Sequence, residues 1–181
     1  MRNNVFNFCP DCGSRNIQTV QGGRKWQCPD CGLELFSNVA SAVGVVLLNE
    51  DGKALLVRRA KEPRKGFLAF PGGFCEPDEA AEVSAVRECA EETGITPQRL
   101  QFIGAFPNTY EYRGIVYKTC DMFFEARLPG QFELKMQQSE VCGTEWRSIG
   151  SEQEIASIPL AFDSARKALL QRIGCLPQEE L

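Results

Sequence analysis

One segment, residues 73 to 95, constrains this chain more than any other feature of its sequence. At about 100° per residue, an ideal helix places Glu88, Glu91 and Glu92 within an arc of roughly 100°. Apolar residues such as Cys89 fall on the adjoining arc, so one face can be buried while its neighbour presents three carboxylates. Because like charges at these spacings repel one another, the cluster requires a compensating cation. Carboxylate oxygens suit Mg²⁺ or Mn²⁺.

The spacing of the residues in this segment is more specific than its acidic face. It reads as Gly, five residues, Glu, seven residues, and then Arg-Glu-apolar-any-Glu-Glu-any-Gly-apolar. The seven fixed positions are Gly73, Glu79, Arg87, Glu88, Glu91, Glu92 and Gly94. Phe70-Pro71-Gly72 precedes them. This pattern resembles the Nudix box, and the alternative interpretation is the solvated acidic face of an ordinary surface helix.

The resemblance covers roughly residues 39 to 174 and implies both a fold and a reaction. The fold is an α/β fold, the Nudix α/β/α sandwich with a mixed sheet, which agrees with the succession of strands and helices along the chain. The reaction is a Mg²⁺- or Mn²⁺-dependent attack of water on the diphosphate bond of a nucleoside diphosphate derivative. A nucleotide-like small molecule is therefore the expected partner.

The resemblance also implies roles for individual residues. Arg87 would orient a box glutamate, and Glu79 would support the junction between loop and helix. A further glutamate from a later loop would act as base or ligand; Glu140 is the candidate and Glu145 the reserve. The implied ligands of the catalytic metal are Glu88, Glu91, Glu92 and the carbonyl of Gly72.

Two further segments offer candidate substrate contacts. A basic loop beginning with Arg58 leads to the Gly-Gly turn and could grip phosphate, although a solvated loop is an equally good interpretation. A loop expected at residues 107 to 114 could stack on a base or ribose, or its aromatic residues could only pack a hairpin. The candidates in this second segment are Tyr110, Tyr112 and Arg113.

Four of the nine cysteines form two near-identical knuckles. Cys9-Pro10-Asp11-Cys12-Gly13 recurs as Cys28-Pro29-Asp30-Cys31-Gly32, with fifteen residues between the inner thiols. This spacing is typical of a structural zinc site with ligands Cys9, Cys12, Cys28 and Cys31, a zinc ribbon. The alternatives are two redox pairs or disulfides. The other five cysteines share no ligand spacing.

The sequence predicts three regions: the zinc ribbon at residues 1–36, the Nudix domain at 37–176, and a frayed acidic tail at 177–181. With no histidine, the chain cannot form a Ser-His-Asp triad or a Cys-His pair within one subunit. Neither a signal peptide nor a membrane span is evident, so the expected location is the cytoplasm, without a membrane partner. The family resemblance also implies that the chain can form a homodimer.

A zinc ribbon before a Nudix domain resembles the NADH pyrophosphatase and ADP-ribose pyrophosphatase branch. The Ser-Gln-Pro-Trp-Pro-Phe-Pro signature of NADH pyrophosphatases is reduced here to Phe106-Pro107, so NADH, FAD, ADP-ribose and nucleotide sugars all remain candidate substrates. Nucleic acid is not an expected partner, because the ribbon carries about −1 charge with zinc and four thiolates. The alternative function is a zinc-ribbon binding or regulatory protein whose Nudix domain senses a ligand.

Overall fold

The computed structural model describes residues 6–128 and 132–177. These residues form nine strands, three α-helices and a 3₁₀ turn at Gln21–Gly23. The strands are β1 Gln18–Val20, β2 Lys25–Gln27, β3 Glu34–Phe36, β4 Ala40–Leu48, β5 Ala54–Arg59, β6 Leu68–Ala69, β7 Gln101–Tyr112, β8 Ile115–Arg127 and β9 Val141–Arg147. The helices are α1 Ala81–Thr93, α2 Glu152–Ala156 and α3 Asp163–Arg172.

The chain divides into two compact units. The first comprises Met1–Val39 and Thr109–Lys118, and the second comprises Ala40–Asn108 and Thr119–Leu181. The domain boundary between residues 36 and 37 stays a prediction. Apart from Pro177, the predicted frayed tail lies outside the described residues.

The first unit contains a three-stranded antiparallel sheet in the order β1-β2-β3. Trp26, in the central strand, is buried, and the ring of Phe6 meets it edge-on with 5.0 Å between centroids. Such a small sheet has little apolar area to bury. One cysteine knuckle precedes β1 and the other connects β2 to β3, so a metal bound by both would add stability to this sheet.

The second unit is built on a six-stranded mixed sheet. Its order is β6-β5-β4-β8-β7, and β9 pairs with β5. The central strands β4 and β8 run parallel, with Ala40 opposite Thr119 and Leu48 opposite Arg127. The pairs β4-β5, β5-β6 and β5-β9 are antiparallel.

Side chains alternate along the sheet and enter two apolar cores. On one face, Val45 and Leu47 of β4 cluster with Ala85 and Cys89 of α1. On the other face, β4 residues such as Val46 cluster with Ala165 and Leu169 of α3. Complete burial of each large apolar side chain contributes about 1.5–3 kcal/mol. Helices therefore cover both faces, and the predicted α/β/α sandwich with a mixed sheet is confirmed.

The helix α1 ends where the sequence pattern places a glycine. Gly94 has a φ of 75°, and its N–H donates to the carbonyl of Ala90 at 2.9 Å. This left-handed conformation is costly for residues with a Cβ atom, so glycine suits the position. The cap fixes the end of the helix two residues after Glu92, the last carboxylate of the acidic face.

The loop expected at residues 107 to 114 is mostly strand. The strand β7 continues through Pro107 to Tyr112, and the connection to β8 is only Arg113-Gly114. Pro107 is tolerated because β7 is the edge strand of the sheet, where a missing N–H breaks no required ladder bond. Both turn residues have positive φ, 49° and 79°, as a two-residue hairpin turn requires.

Candidate active site

The Gly72-Gly73 turn lies against β4. The N–H of Val43 donates to the carbonyl of Gly73 at 2.8 Å, and the N–H of Val45 donates to the carbonyl of Pro71 at 2.9 Å. A Cβ atom on Gly72 would lie 2.1 Å from the carbonyl oxygen of Val43. Only glycine allows this close approach of two backbones. The turn is thereby held beside the acidic face of α1.

Glu92 is the most buried carboxylate of the acidic face, with 9% of its surface exposed. Its Oε2 accepts a hydrogen bond from the N–H of Gly72 at 3.0 Å. Burial raises the pKa of Glu92 to about 7, and the charges of Glu88 and Glu140 add to this effect. A carboxyl group in this position gains most from a nearby cation.

Arg87 forms hydrogen bonds with two further carboxylates, those of Glu79 and Glu88. Its Nη1 donates to Glu88 at 2.7 Å, and its Nε donates to Glu79 at 3.1 Å. The hydroxyl of Ser84 also donates to Glu79 at 2.7 Å. The hydrogen bonds from Arg87 lower the pKa of Glu79, whereas burial raises the pKa of Glu88. Arg87 thus fixes the orientation of Glu88.

Glu91 differs from its two neighbours. Its side chain is 51% exposed and lies 3.6 Å from Nη1 of Arg87. In the part of the chain that the structure describes, Glu88, Glu91 and Glu92 do not bring their oxygens within 4.8 Å of one another as a group.

The two downstream glutamates have different surroundings. Glu140 lies near enough to Glu88 and Glu92 for its charge to raise the pKa of both. Its Oε1 accepts a hydrogen bond from Nζ of Lys61 at 2.8 Å. Glu145 instead forms an ion pair with Arg58. Of the two, Glu140 is therefore the one beside the acidic face.

Arg59, the second arginine of the basic loop, lies near the acidic face, whereas the sequence analysis singled out its neighbour Arg58. The charge of Arg59 lowers the pKa of Glu92, its Nε donates to the carbonyl of Pro63 at 2.9 Å, and its guanidinium lies 5.3 Å from the ring centroid of Phe162. Arg58 donates to the carbonyl of Gly66 at 2.6 Å and pairs with Glu145. The β5-β9 pairing shifts register between the two arginines, which single-strand alternation does not reveal.

The substrate-loop candidates belong to the first unit. Tyr110 and Tyr112 lie in β7 with ring centroids 6.5 Å apart, and the guanidinium of Arg113 lies 5.2 Å from the ring centroid of Tyr112. These contacts form a small aromatic and cationic surface. Its role in binding substrate stays a prediction.

The four cysteine thiols of the first unit converge. Their sulfur atoms all lie within 4.8 Å of one another, with Cys9 3.6 Å from Cys31 and Cys12 3.7 Å from Cys28. Tetrahedral zinc with bonds of about 2.3 Å would separate its sulfur ligands by about 3.8 Å, whereas a disulfide bond measures about 2.05 Å. The cluster therefore fits a zinc ion and supports the predicted zinc ribbon.

The two knuckles have matching backbone geometry. The N–H of Gly13 donates to the carbonyl of Cys9 at 3.0 Å, and the N–H of Gly32 donates to the carbonyl of Cys28 at 2.8 Å. Both glycines have positive φ, 74° and 81°. The N–H of Cys12 lowers the pKa of Cys9 to about 7. This favours the thiolate form that zinc requires at Cys9, whereas the pKa of Cys12 and Cys31 is raised in the metal-free cluster.

The acidic face also fits a divalent cation. Glu88 and Glu92 are hard oxygen donors, and burial disfavours the charged form of both. A bound cation would offset that penalty, and Mg²⁺ commonly uses one or two protein carboxylates while keeping several waters. The Gly72-Gly73 turn brings further backbone polar groups to the same place.

The α/β/α sandwich and its glycine-flanked acidic helix define a class of protein. Comparison of this chain with known protein families identifies that class. The NUDIX domain family model matches residues 39–169, and the chain belongs to the NUDIX family. The NAD-capped RNA hydrolase NudC of Deinococcus radiodurans is 27% identical over 173 residues, covering 93% of this chain and 57% of that protein. The curated relatives extend beyond this chain, which spans 31% to 58% of the length of the first three.

Solved structures agree with this assignment. A NUDIX hydrolase from Nitrosomonas europaea matches with a TM-score of 0.64 and 26% identity, covering 91% of this chain and 90% of that one. The NUDIX domain of Shewanella oneidensis NrtR complexed with ADP ribose matches with a TM-score of 0.59 and 26% identity, covering 77% and 87%. The predicted family resemblance is confirmed.

No helix in residues 6–128 or 132–177 combines the length and apolar character needed to cross a membrane. The cytoplasmic location, the homodimer and the absence of a nucleic-acid partner stay predictions, as do the roles of the individual site residues.

Proposed function

We propose that this chain is a Mg²⁺- or Mn²⁺-dependent pyrophosphatase that hydrolyses the diphosphate bond of a nucleoside diphosphate derivative. The observation that carries the proposal is the desolvated pair Glu88 and Glu92 beside the Gly72-Gly73 turn. Carboxylates with strongly shifted pKa values cluster at functional sites, and these two lie within the family motif. Arg59 and Glu140 add a cation and a third carboxylate nearby.

Each residue has a distinct task in this reaction. Glu88 and Glu92 would hold the metal, and Arg87 positions Glu88 through the 2.7 Å hydrogen bond. A divalent ion bound there neutralises diphosphate charge and acidifies a water molecule. Glu140, held by Lys61, accepts the proton from the attacking water. Arg59 supplies positive charge for a phosphate oxygen.

The bond changes follow from this arrangement. The oxygen of water forms a bond to one phosphorus, and the bond between that phosphorus and the bridging oxygen breaks. The bridging oxygen leaves on the second phosphate, whose negative charge a guanidinium can stabilise. Two phosphate monoesters are the products. No covalent intermediate with the protein is required.

The comparisons support a substrate that contains adenosine diphosphate. One relative is named as an NAD-capped RNA hydrolase, and one structural neighbour was solved with ADP ribose. NADH, FAD, ADP-ribose and NAD-capped RNA all carry a diphosphate linked to adenosine. The first test is therefore a panel of these four compounds and nucleotide sugars, with Mg²⁺ or Mn²⁺. We also propose that the four-cysteine cluster binds one structural zinc ion.

Glu92→Gln and Glu88→Gln test the metal site. Each should lower kcat by about 10³-fold or more, equivalent to ~4 kcal/mol of transition-state stabilisation, while the fold is retained. Glu82→Gln is the matched control because Glu82 is an exposed glutamate of the same helix. Wild-type rates in both active-site variants would refute the assignment. If the wild-type protein binds panel compounds but hydrolyses none of them, the ligand-sensor alternative is correct.

A further inference from the structure

A second polar site lies in the sheet of the same unit, away from the acidic face. Asp121 of β8 stands opposite Ala42 of β4, and Ala42 in turn forms a bridge with Phe74. Phe74 directly follows the Gly72-Gly73 turn. Adjacent strands are about 4.8 Å apart, so the backbone of Asp121 is about two strand spacings from this turn. A nucleoside monophosphate can bridge such a span.

The side chain of Asp121 is directed toward α3. Phe123, two residues later, belongs to the core beneath α3, whereas Phe124 belongs to the core beneath α1. The hydroxyl of Ser164 in α3 donates to Oδ2 of Asp121 at 2.6 Å, and the amide of Asn108 donates to the same oxygen at 2.8 Å. Asp121 is thus fixed in one orientation from two sides.

The other carboxylate oxygen of Asp121 has a different environment. Within residues 6–128 and 132–177, Oδ1 accepts no hydrogen bond, although Asp121 is only 8% exposed. A poorly solvated carboxylate costs free energy unless its oxygens are satisfied. The hydroxyl of Thr119, two residues earlier, is also buried and without a hydrogen-bond partner in the described chain. Anchoring α3 accounts for Oδ2 alone. Oδ1 is not fully buried, so a ligand can reach it, whereas the Thr119 hydroxyl beside it is buried without a partner among the described residues.

The start of α3 connects this site to the acidic face. The ring of Phe162, immediately before the helix, lies against the guanidinium of Arg59. Ser164, two residues later, holds Asp121. Arg59 is the arginine whose charge acts on Glu92. A ligand whose phosphate lies near Arg59 can therefore extend along the start of α3 toward Oδ1 of Asp121.

We propose that Asp121 recognises the nucleoside part of the substrate, with Oδ1 accepting a hydrogen bond from an N–H or O–H group of that nucleoside. The inference rests on the proposed function, because it assumes that the phosphate of the ligand occupies the site beside Arg59 and Glu92. The exocyclic amino group of adenine and the ribose diol both supply such donors. Asn108 and Ser164 are positioning residues that keep Oδ1 available.

Asp121→Asn is the decisive variant because its geometry is constrained. The donors from Asn108 and Ser164 require an oxygen at the Oδ2 position, so the new amide nitrogen occupies the Oδ1 position. That nitrogen donates hydrogen bonds and cannot accept one, so it would face the N–H or O–H donor of the ligand without forming a hydrogen bond. The exchange keeps the size of the side chain, so the packing beneath α3 is retained.

The experiment measures binding by calorimetry in the presence of Mg²⁺, so it does not depend on turnover. The probes are AMP, purine riboside 5′-monophosphate, which lacks the amino group, and 2′,3′-dideoxyadenosine 5′-monophosphate, which lacks the diol. Wild-type protein should bind one of the two analogues about tenfold more weakly than AMP, because a hydrogen bond to a charged acceptor is lost. Asp121→Asn should abolish this difference, and the analogue affected identifies the recognised group.

Ser164→Ala separates recognition from stability. It removes one donor to Oδ2 but leaves Oδ1 as an acceptor, so it should lower Tm while the preference for AMP persists. Absence of AMP binding by the wild type, equal binding of all three probes, or loss of the preference in Ser164→Ala would overturn the proposal. If the protein hydrolyses a panel compound but binds AMP and its two analogues equally, only the proposed role of Asp121 is refuted. Discrimination without hydrolysis of any panel compound would refute only the proposed reaction.

Discussion

Gly73→Ala should lower the proposed hydrolase activity by about 10²-fold while leaving the fold intact. An added Cβ would lie 2.5 Å from Oε2, 2.6 Å from Cδ and 2.8 Å from Oε1 of Glu88. Normal contacts are about 3.5–4.0 Å, so the carboxylate must move by roughly 1 Å. The side chain of Glu88 can move because only its flexible end is affected. Its hydrogen bond with Arg87 at 2.7 Å would be distorted by that movement.

The expected loss of activity follows from this displacement. A misplacement of about 1 Å in a catalytic arrangement can reduce the rate by about 10²-fold, equivalent to ~2.7 kcal/mol. Stability should change little, because Gly73 does not have positive φ and alanine restricts the unfolded chain. Steady-state kcat, Mn²⁺ binding by calorimetry and thermal unfolding would measure the three effects. We expect lower kcat, weaker Mn²⁺ binding and an unchanged Tm.

Gly72→Ala is the contrasting variant at the adjacent position. Its Cβ would meet backbone, 2.1 Å from the carbonyl oxygen of Val43 and 2.8 Å from Cα of Gly44, and its φ is 154°. No side-chain rotation relieves these contacts, so this variant should lose ~3 kcal/mol of stability or more. If Gly73→Ala retained wild-type kcat and Mn²⁺ affinity, the position of Glu88 would not matter to catalysis, and the metal-site reasoning would fail.

Three further predictions concern the other charged and metal-binding groups. Cys12→Ser should release one zinc ion per chain and loosen the first unit, whereas Cys120→Ser, the control, should retain the metal. Elemental analysis of protein prepared without chelators measures the zinc content of both variants. Zinc-free wild-type protein would contradict the assignment. In metal-free protein, burial raises the pKa of Glu92 from its ordinary value of 4.5 in the unfolded chain to about 7 in the folded one. Its contribution to the free energy of unfolding is therefore greatest below pH 4.5 and falls by up to ~3 kcal/mol as pH rises through 7. Denaturant unfolding of wild type and Glu92→Gln between pH 5 and 8 tests this, and parallel pH profiles would disprove it. Arg59→Ala should lower kcat/KM by at least tenfold and Arg58→Ala should lower it much less; the reverse order would show that Arg58 contacts the phosphate.

The features that sequence predicted well depend on local spacing. Gly94 ends α1 because one residue must adopt positive φ there, and this requirement is visible in the sequence. The cysteine knuckles are equally local, since each places two thiols and a glycine within five residues. The sandwich followed from the family motif combined with the order of strands and helices. The extent of β7 was wrong because Pro107 reads as a loop signal unless the strand is known to lie at an edge.

The remaining site features depend on pairing between distant strands. Arg58 and Arg59 are equivalent in the sequence, and the register shift between β5 and β9 accompanies their different partners, Glu145 for one and Phe162 for the other. Asp121 carries no motif at all. It stands near the Gly72-Gly73 turn only because β4 lies between β8 and the turn, with Ala42 paired to both sides. The proposed recognition of the nucleoside therefore depends on strand order, whereas the proposed metal-binding carboxylates depend on the period of a single helix.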